Sequence, residues 1–190
     1  NYREAIASQD PFHLIHQSQC HFGLDWLASS IGGGDFISFP IYPFYPDKHN
    51  DISSATKSCN SITDVYGVNG KVAGMACFQS FSWSFEQPNL EDYFPTEREL
   101  RSTALLSAIH GYRAFSFFSY YAHFLPMRTE SPSRWVLESK RRLDATWAAA
   151  GILRELEGYL LSDSPAPAFA LRNISGEVFG CALANGTGKV

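Results

Sequence analysis

Apolar residues fall along this chain in two alternating ways: as short unbroken runs, and as positions spaced three and four apart. An unbroken run is what a strand buried on both faces looks like, and 3-4 spacing marks a helix with one apolar stripe. The first run covers 12–19. After it Leu24, Leu27, Ala28 and Ile31 keep helical spacing until Gly32, Gly33 and Gly34 stop the helix. A second run covers 36–42. Asp51 can then cap a helix with the stripe Ile52, Ala55, Cys59, Ile62 and Tyr66, closed by Gly67. A third run covers 72–81. Thr96 caps the next helix, and Glu99 three positions on completes a capping box. Leu100, Ala104, Ser107, Ala108 and Gly111 give that helix a small-residue face suited to lying close on a sheet. A fourth run, largely aromatic, covers 114–121.

Strand and helix alternating in this way predict βαβ units and a parallel sheet. From Ser131 a long helical stretch reaches about Leu161, with Pro132 in its first turn. Its expected stripe is Leu143, Trp147, Ala150, Leu153, Leu156 and Leu160, and Gly151 is where it can divide in two. Residues 162–167 read as a linker. Residues 168–173 and 177–184 then read as a hairpin about Ser175 and Gly176, the opening of a second, all-β unit.

Composition narrows the function classes. Hydrophobic residues make up 45% of the 190 and charged residues 18%, too little charge for a disordered chain or a coiled coil. Lys+Arg 15 against Asp+Glu 19 leaves a net charge of −4, so no basic field exists to hold a phosphate backbone, and nucleic acid is not an expected partner. No apolar run approaches the roughly 20 residues of a membrane-spanning helix, so no membrane partner is expected. The chain as given opens at Asn1 without a charged-then-apolar leader. Cys20, Cys59, Cys77 and Cys181 are scattered, with no CxxC pair, so neither a disulfide framework nor a structural zinc site is expected.

The most informative stretch is Pro95-Thr96-Glu97-Arg98-Glu99-Leu100-Arg101, then Ala108-Ile109-His110-Gly111, then Phe115-Ser116-Phe117-Phe118-Ser119-Tyr120. It resembles the last helix and last strand of (β/α)8-barrel glycoside hydrolases. Asp10-Pro11 before the first run, Asp35-Phe36-Ile37 with Ile41-Tyr42-Pro43, and Cys77-Phe78-Gln79-Ser80-Phe81 with Trp83 are similar to upstream strands of the same barrel, in the same order. The resemblance implies an α/β fold: a partial (β/α)8 (TIM) barrel of about four βα units over 1–161, with its terminal long helix. Residues 162–190 would be a linker and the first strands of a C-terminal β-sandwich. A complete barrel needs eight strands and about 250 residues. The N-terminal half of the barrel is therefore the expected missing partner, the expected substrate is a carbohydrate, and no cofactor is implied. The same resemblance suits a secreted or periplasmic protein.

Barrel enzymes carry their sites at the C-terminal ends of the strands. That rule selects His16, Gln17 and Ser18 after the first run, Tyr42 and Tyr45 after the second, Gln79 and Trp83 at the third, and Ser119, Tyr120 and Tyr121 at the fourth. Amides and hydroxyls there can bond sugar hydroxyls, and flat rings can stack on the apolar side of a pyranose. The resemblance places Gln79 and Trp83 in the cleft. For all of them the plainer alternative is packing at the barrel top.

Glycoside hydrolysis needs two carboxyl groups flanking the bond. None of the four strand ends carries one. Relatives often have an Asp before the "YP" step, where this chain has Pro40-Ile41. The loop residues Glu86 and Asp47 are the catalytic candidates, each with a plainer reading as a solvated loop charge, and a catalytic partner would lie upstream of Asn1. Asp35, at the start of its strand, reads as structural. His13, His16, Cys20 and His21 lack a second ligand group at zinc spacing, so no metal site is expected. His110 reads as a cation in the last turn of its helix. The expected function is carbohydrate binding and hydrolysis by carboxylate acid–base chemistry. The alternatives are a catalytically silent barrel that binds carbohydrate, and a structural or interaction module.

Overall fold

The last three apolar runs each become a strand, and so does the end of the first. The computed structural model describes residues 2–18, 34–47, 55, 73–85, 87–124 and 131–162 of the chain. The elements are α1 (Tyr2–Gln9), β1 (His16–Ser18), β2 (Phe36–Ile41), β3 (Ala73–Gln79), α2 (Glu97–Ile109), β4 (Ala114–Phe118), α3 (Pro132–Glu155) and α4 (Glu157–Leu160), with 3-10 turns at Trp83–Phe85 and Tyr120–His123. The four strands form one sheet in the order β1-β2-β3-β4, and every pairing is parallel. The protein is thus a mixed α/β fold on a four-stranded parallel sheet. The helices expected over 24–31 and 52–66, and everything expected over 163–190, lie outside the described residues, apart from Ala55, which is helical and fully buried.

The register sorts side chains onto two unlike faces. Ile37, Phe39 and Ile41 align with Gly74, Ala76 and Phe78, and these with Phe115 and Phe117. This face is buried together with Ala104, Leu106 and Ala108 of α2, Leu153 of α3 and Leu160 of α4. Each large side chain fully buried there contributes about 1.5–3 kcal/mol relative to exposure. The opposite face carries His16 and Ser18, Phe36, Ser38 and Pro40, Met75 and Cys77, Ala114, Ser116 and Phe118. It is polar or small in much of its area, and most of its residues keep solvent contact. When parallel strands lie in chain order, right-handed crossovers all step the same way and bring their helices to one face. The one-sided core follows from that.

Local signals set the ends of α2. The Thr96 hydroxyl accepts from the Glu99 amide, while the Glu99 carboxylate accepts from the Thr96 amide, which closes the expected capping box. At the other end Gly111 has φ 92°, a left-handed conformation that suits a residue without Cβ. The Gly111 amide donates to the Ala108 carbonyl and the Tyr112 amide to the Ser107 carbonyl, a Schellman ending that turns the chain into β4. The small face Ala104, Ser107 and Ala108 is buried as expected.

Three readings of the sequence need correction, and one helix is unexpected. The long helix breaks at Leu156, between α3 and α4, and not at Gly151. Its buried face is Ser139, Arg142, Ala145, Thr146, Ala149 and Leu153, whereas Trp147 is 64% exposed. The expected stripe was rotated because Arg142 and Thr146 are polar but are buried by hydrogen bonding, as described below. His110 caps α2, and burial pushes its imidazole below 6.5, so near neutrality it is not a cation. α1 has no counterpart in the apolar pattern; Arg3 on it bonds Asp35 Oδ1 at 2.6 Å, and Asp35 Oδ2 accepts from the Ile15 amide at 2.8 Å. Asp35 thus links α1 and the lead-in to β1 with the start of β2, a structural place.

Two glycines predict opposite outcomes for one chemical change. A Cβ at Gly34 would stand 2.8 Å from the Ile15 carbonyl oxygen, whereas a Cβ at Gly151 would meet nothing within 4 Å. Gly34→Ala is expected to destabilise by about 1–3 kcal/mol through overpacking. Gly151→Ala is expected to stabilise by roughly 0.5–1 kcal/mol through helix propensity. Urea unfolding of the two variants checks both signs.

Candidate functional site

The site is built at the C-terminal end of the sheet, where the chain leaves β2, β3 and β4. Gln79, the last residue of β3, is 1% exposed and gives its whole amide to backbone. Its Oε1 accepts from the Phe44 amide at 2.9 Å, and its Nε2 donates to the carbonyls of Phe44 at 2.8 Å and Phe81 at 3.2 Å. This two-way bond to Phe44 clamps the loop after β2 onto the loop after β3. β2 ends at Ile41, two residues before Pro43, and the Phe44 ring is buried. Gln79 therefore supports the site from beneath instead of offering its amide to a ligand.

Above that clamp lies a cluster of rings. Tyr45 stacks flat on Trp83, with centroids 4.8 Å apart and planes at 8°. Phe81 meets Trp83 edge-on at 4.9 Å and Tyr42 edge-on at 5.1 Å. Tyr42 stacks on Phe118 at 6.0 Å, and its hydroxyl reaches Cys77 Sγ at 3.4 Å. Phe118 and Cys77 belong to the face of the sheet opposite the helices, so the cluster sits at the C-terminal end of that face. The rings most open to solvent are Phe118 at 47%, Tyr120 at 67% and Tyr121 at 66% exposure. Trp83 is half-buried, with one face covered by Tyr45.

Both aromatic turns are fixed by polar bonds. In the Trp83 turn, Ser82 Oγ accepts from the Tyr93 amide at 3.0 Å, and Ser84 Oγ donates to Asp92 Oδ1 at 3.1 Å. Asp92 Oδ2 in turn accepts from Arg142 Nη2 of α3 at 2.6 Å. Burial alone would push the Asp92 carboxyl up, but the Arg142 charge and the hydrogen bonds outweigh it and hold it below the usual range. In the Tyr120 turn, His123 is buried: its Nδ1 bonds the Tyr120 carbonyl at 3.0 Å and its Nε2 bonds Thr146 Oγ1 at 2.9 Å. Burial, aided by the nearby Arg142 charge, holds the His123 imidazole below its ordinary 6.5. Close by, burial and a bond to the buried Glu99 push the Tyr93 phenol up.

From the sequence candidates the structure brings together Tyr42, Tyr45, Gln79 and Trp83, while Ser119 and Tyr120 follow Phe118 in the chain and the Tyr120 ring packs on His123 and Phe124. His16 and Gln17 are not brought there, which corrects their expected place. They pair with Phe36 and Ile37, the first residues of β2, and so lie roughly 20 Å from Tyr42 along the strand direction at about 3.3 Å per residue. His16 bonds Ser38 Oγ at 2.8 Å and stacks on Phe36, while Gln17 is on the helix-covered face. The apolar run 12–19 predicts a strand throughout, whereas among its described residues 16–18 alone pair, in β1 at the sheet edge opposite β4. Asp47 is exposed two residues beyond Tyr45. Glu86 lies outside the described residues. Sequence reading missed Asp92, Arg142 and His123. Glu91 and Asp92, just before the Thr96 cap, were the available signal for the first; the other two are polar residues at helical positions that pattern reading assigns to solvent.

Chemically, the rim offers flat apolar faces beside hydroxyl groups. Asp92, ionised and bound by an arginine, is suited to holding a turn and unsuited to giving up a proton. Among the described residues, no group of three or more His, Cys, Asp or Glu side chains could hold a metal, and no helix is long and apolar enough to cross a membrane. Comparison of the chain with models of protein families, with curated proteins and with solved structures gives no match in any of the three.

His123 makes a pH prediction. A base whose folded pKa is depressed contributes stability that is complete above the unfolded value of 6.5, and is lost as pH falls and the unfolded chain takes up the proton first. Urea unfolding is therefore expected to show stability falling from about pH 7.5 to 5.5, with a shallower fall in His123→Asn. Equal falls in the two proteins would remove His123 from this account.

Proposed function

We propose that this chain is the second half of a (β/α)8 barrel of the glycoside hydrolase type, and that its aromatic rim is a carbohydrate-binding surface. The observation that carries the reading is the cluster Tyr42, Tyr45, Trp83 and Phe118 at the C-terminal ends of parallel strands, with the exposed Tyr120 and Tyr121 in the turn that follows Phe118. That is where barrels bind ligands, and solvent-facing rings beside hydroxyls match a pyranose, apolar on one side and polar at its edge. The sheet supports the barrel half of the proposal. Its strands run in chain order with helices on one face, as in a barrel wall. Most described residues of its other face keep some solvent contact, although parallel sheets are normally covered on both sides, and β1 and β4 each pair on one side only among the described residues. An N-terminal half of the barrel would cover that face and both edges. Residues 162–190 fit the start of a β-sandwich in the same scheme.

Hydrolysis would require two carboxyl groups, about 5–5.5 Å apart for retention or roughly 6.5–9.5 Å for inversion. Glu86 and Asp47 remain this chain's candidates, with a partner supplied by the missing half. A second reading, a barrel that binds sugar without cutting it, is favoured by one specific observation: no pair of carboxyl groups faces the rim among the described strand ends.

The test is titration of the full-length protein against a broad panel of soluble oligosaccharides. Phe118→Ala and Tyr120→Ala are each expected to weaken binding of the best glycan by about tenfold, the scale of a lost stacking contact, with far-UV circular dichroism unchanged. Absence of binding across the panel would overturn the reading. Sugar release that stops in Glu86→Gln selects the hydrolase; binding without release selects the silent barrel.

A further inference from the structure

The two turns that carry the rim hang from one helix. The Trp83 turn is tied through Ser84 and Asp92 to Arg142, and the Tyr120 turn through His123 to Thr146. Arg142 and Thr146 lie one turn apart on the buried side of α3, and with His123 neutral its Nδ1–H donates to the Tyr120 carbonyl while its Nε2 accepts from the Thr146 hydroxyl. The backbone of α3 thus joins two polar chains, Ser84–Asp92–Arg142 and Thr146–His123–Tyr120. Phe94 completes the join, with the Arg142 guanidinium 5.1 Å from its ring centroid on one side and the His123 ring at 5.5 Å. Glu138, one turn earlier on α3, accepts from Arg142 Nε at 3.4 Å and limits its swing.

We propose that Arg142 and Thr146 are positioning residues that fix the distance between the Trp83 and Tyr120 turns, and so set the spacing of the rings on which a sugar would stack. This rests on the carbohydrate reading for the identity of the ligand, but not for the mechanical claim. Neither residue touches a ligand. Arg142 is almost fully buried, and a buried arginine is retained only with its charge paired; its pairing partner here is the carboxylate that holds the Trp83 turn. The guanidinium bonds Asp92 and Glu138 from different nitrogens, a geometry that the single ammonium of lysine does not reproduce.

The experiment uses the full-length protein labelled with 5-fluorotryptophan and read by fluorine NMR without glycan. The Trp83 line is assigned by its loss in Trp83→Phe. Trp135 and Trp147, both on α3, report whether the helix itself is disturbed. Arg142→Met and Asp92→Asn are each expected to move the Trp83 line and leave Trp147 in place. Arg142→Lys, which keeps the charge, is expected to bring the line part of the way back. Should Arg142→Met fail to fold, Asp92→Asn and Arg142→Lys carry the comparison. A Trp83 line that stays put in folded Asp92→Asn and Arg142→Lys overturns the proposal, as does a shift matched by Trp147. Glycan titration is the separate arm. There Arg142→Lys and Thr146→Val are expected to weaken binding by about five- to tenfold, the scale of one charge-assisted or buried hydrogen bond, and unchanged affinity in both overturns the claim that ring spacing sets sugar binding. If no glycan binds to the unaltered protein, the carbohydrate reading fails while the fluorine spectra still decide the positioning.

Discussion

A parallel sheet wound in chain order constrains everything around it. Each right-handed crossover steps in the same direction, so helices gather on one face. The protein meets this with unlike faces: Ile37, Phe39, Ile41, Ala76 and Phe78 under the helices, and Ser38, Cys77 and Ser116 on the other side. All strand C-termini then point to one end, and the loops that leave them must pack together there. Gln79 is the residue that makes this packing definite. Its single amide satisfies a donor and two acceptors on two loops, and a buried amide with partners on both sides fixes geometry more firmly than apolar contact alone.

The rim is then locked from outside the sheet. α3 packs along α2 through Ala145 and Ala149, near Leu100 and Phe94, and from that seat it reaches both aromatic turns through Arg142 and Thr146. Sheet, clamp and helix thus act on the same few rings. Phe118, the last residue of β4, belongs to the sheet, Tyr45 is held through the Gln79 clamp, and Trp83 and Tyr120 are held through α3. The Phe118–Ser119 peptide bond, at the point where β4 hands over to its turn, is cis.

Much of the fold was legible because its signals are local. Thr96 and Glu99 are three residues apart, Gly111 follows the helix it ends, and the runs over 36–42, 72–81 and 114–121 differ from their strands only at the margins. What was not legible depends on partners distant in sequence. Arg142 reads as solvated until Asp92, fifty positions earlier, is brought to it; that pairing rotates the buried face of α3 away from Trp147. Gln79 reads as a ligand-binding amide until the Phe44 backbone occupies it. His16 and Gln17 read as rim residues because a run has no marked end, and only the register with Phe36 and Ile37 shows which end of the sheet they occupy. The aromatic rings do gather at the C-terminal end of the sheet, where Trp83 is partly covered by Tyr45 and Phe118, Tyr120 and Tyr121 are the more open surfaces.

The central claim is that these open rings over the polar face of the sheet are where a carbohydrate sits. Hydroxyl-radical footprinting of the full-length protein, with and without saturating oligosaccharide and read by mass spectrometry, tests it most directly. The account predicts that oxidation of Phe118, Tyr120 and Tyr121 falls on adding the glycan while Trp147, equally open on α3, is unchanged. Protection elsewhere with the rim still fully reactive, or no protection by any glycan, would contradict it.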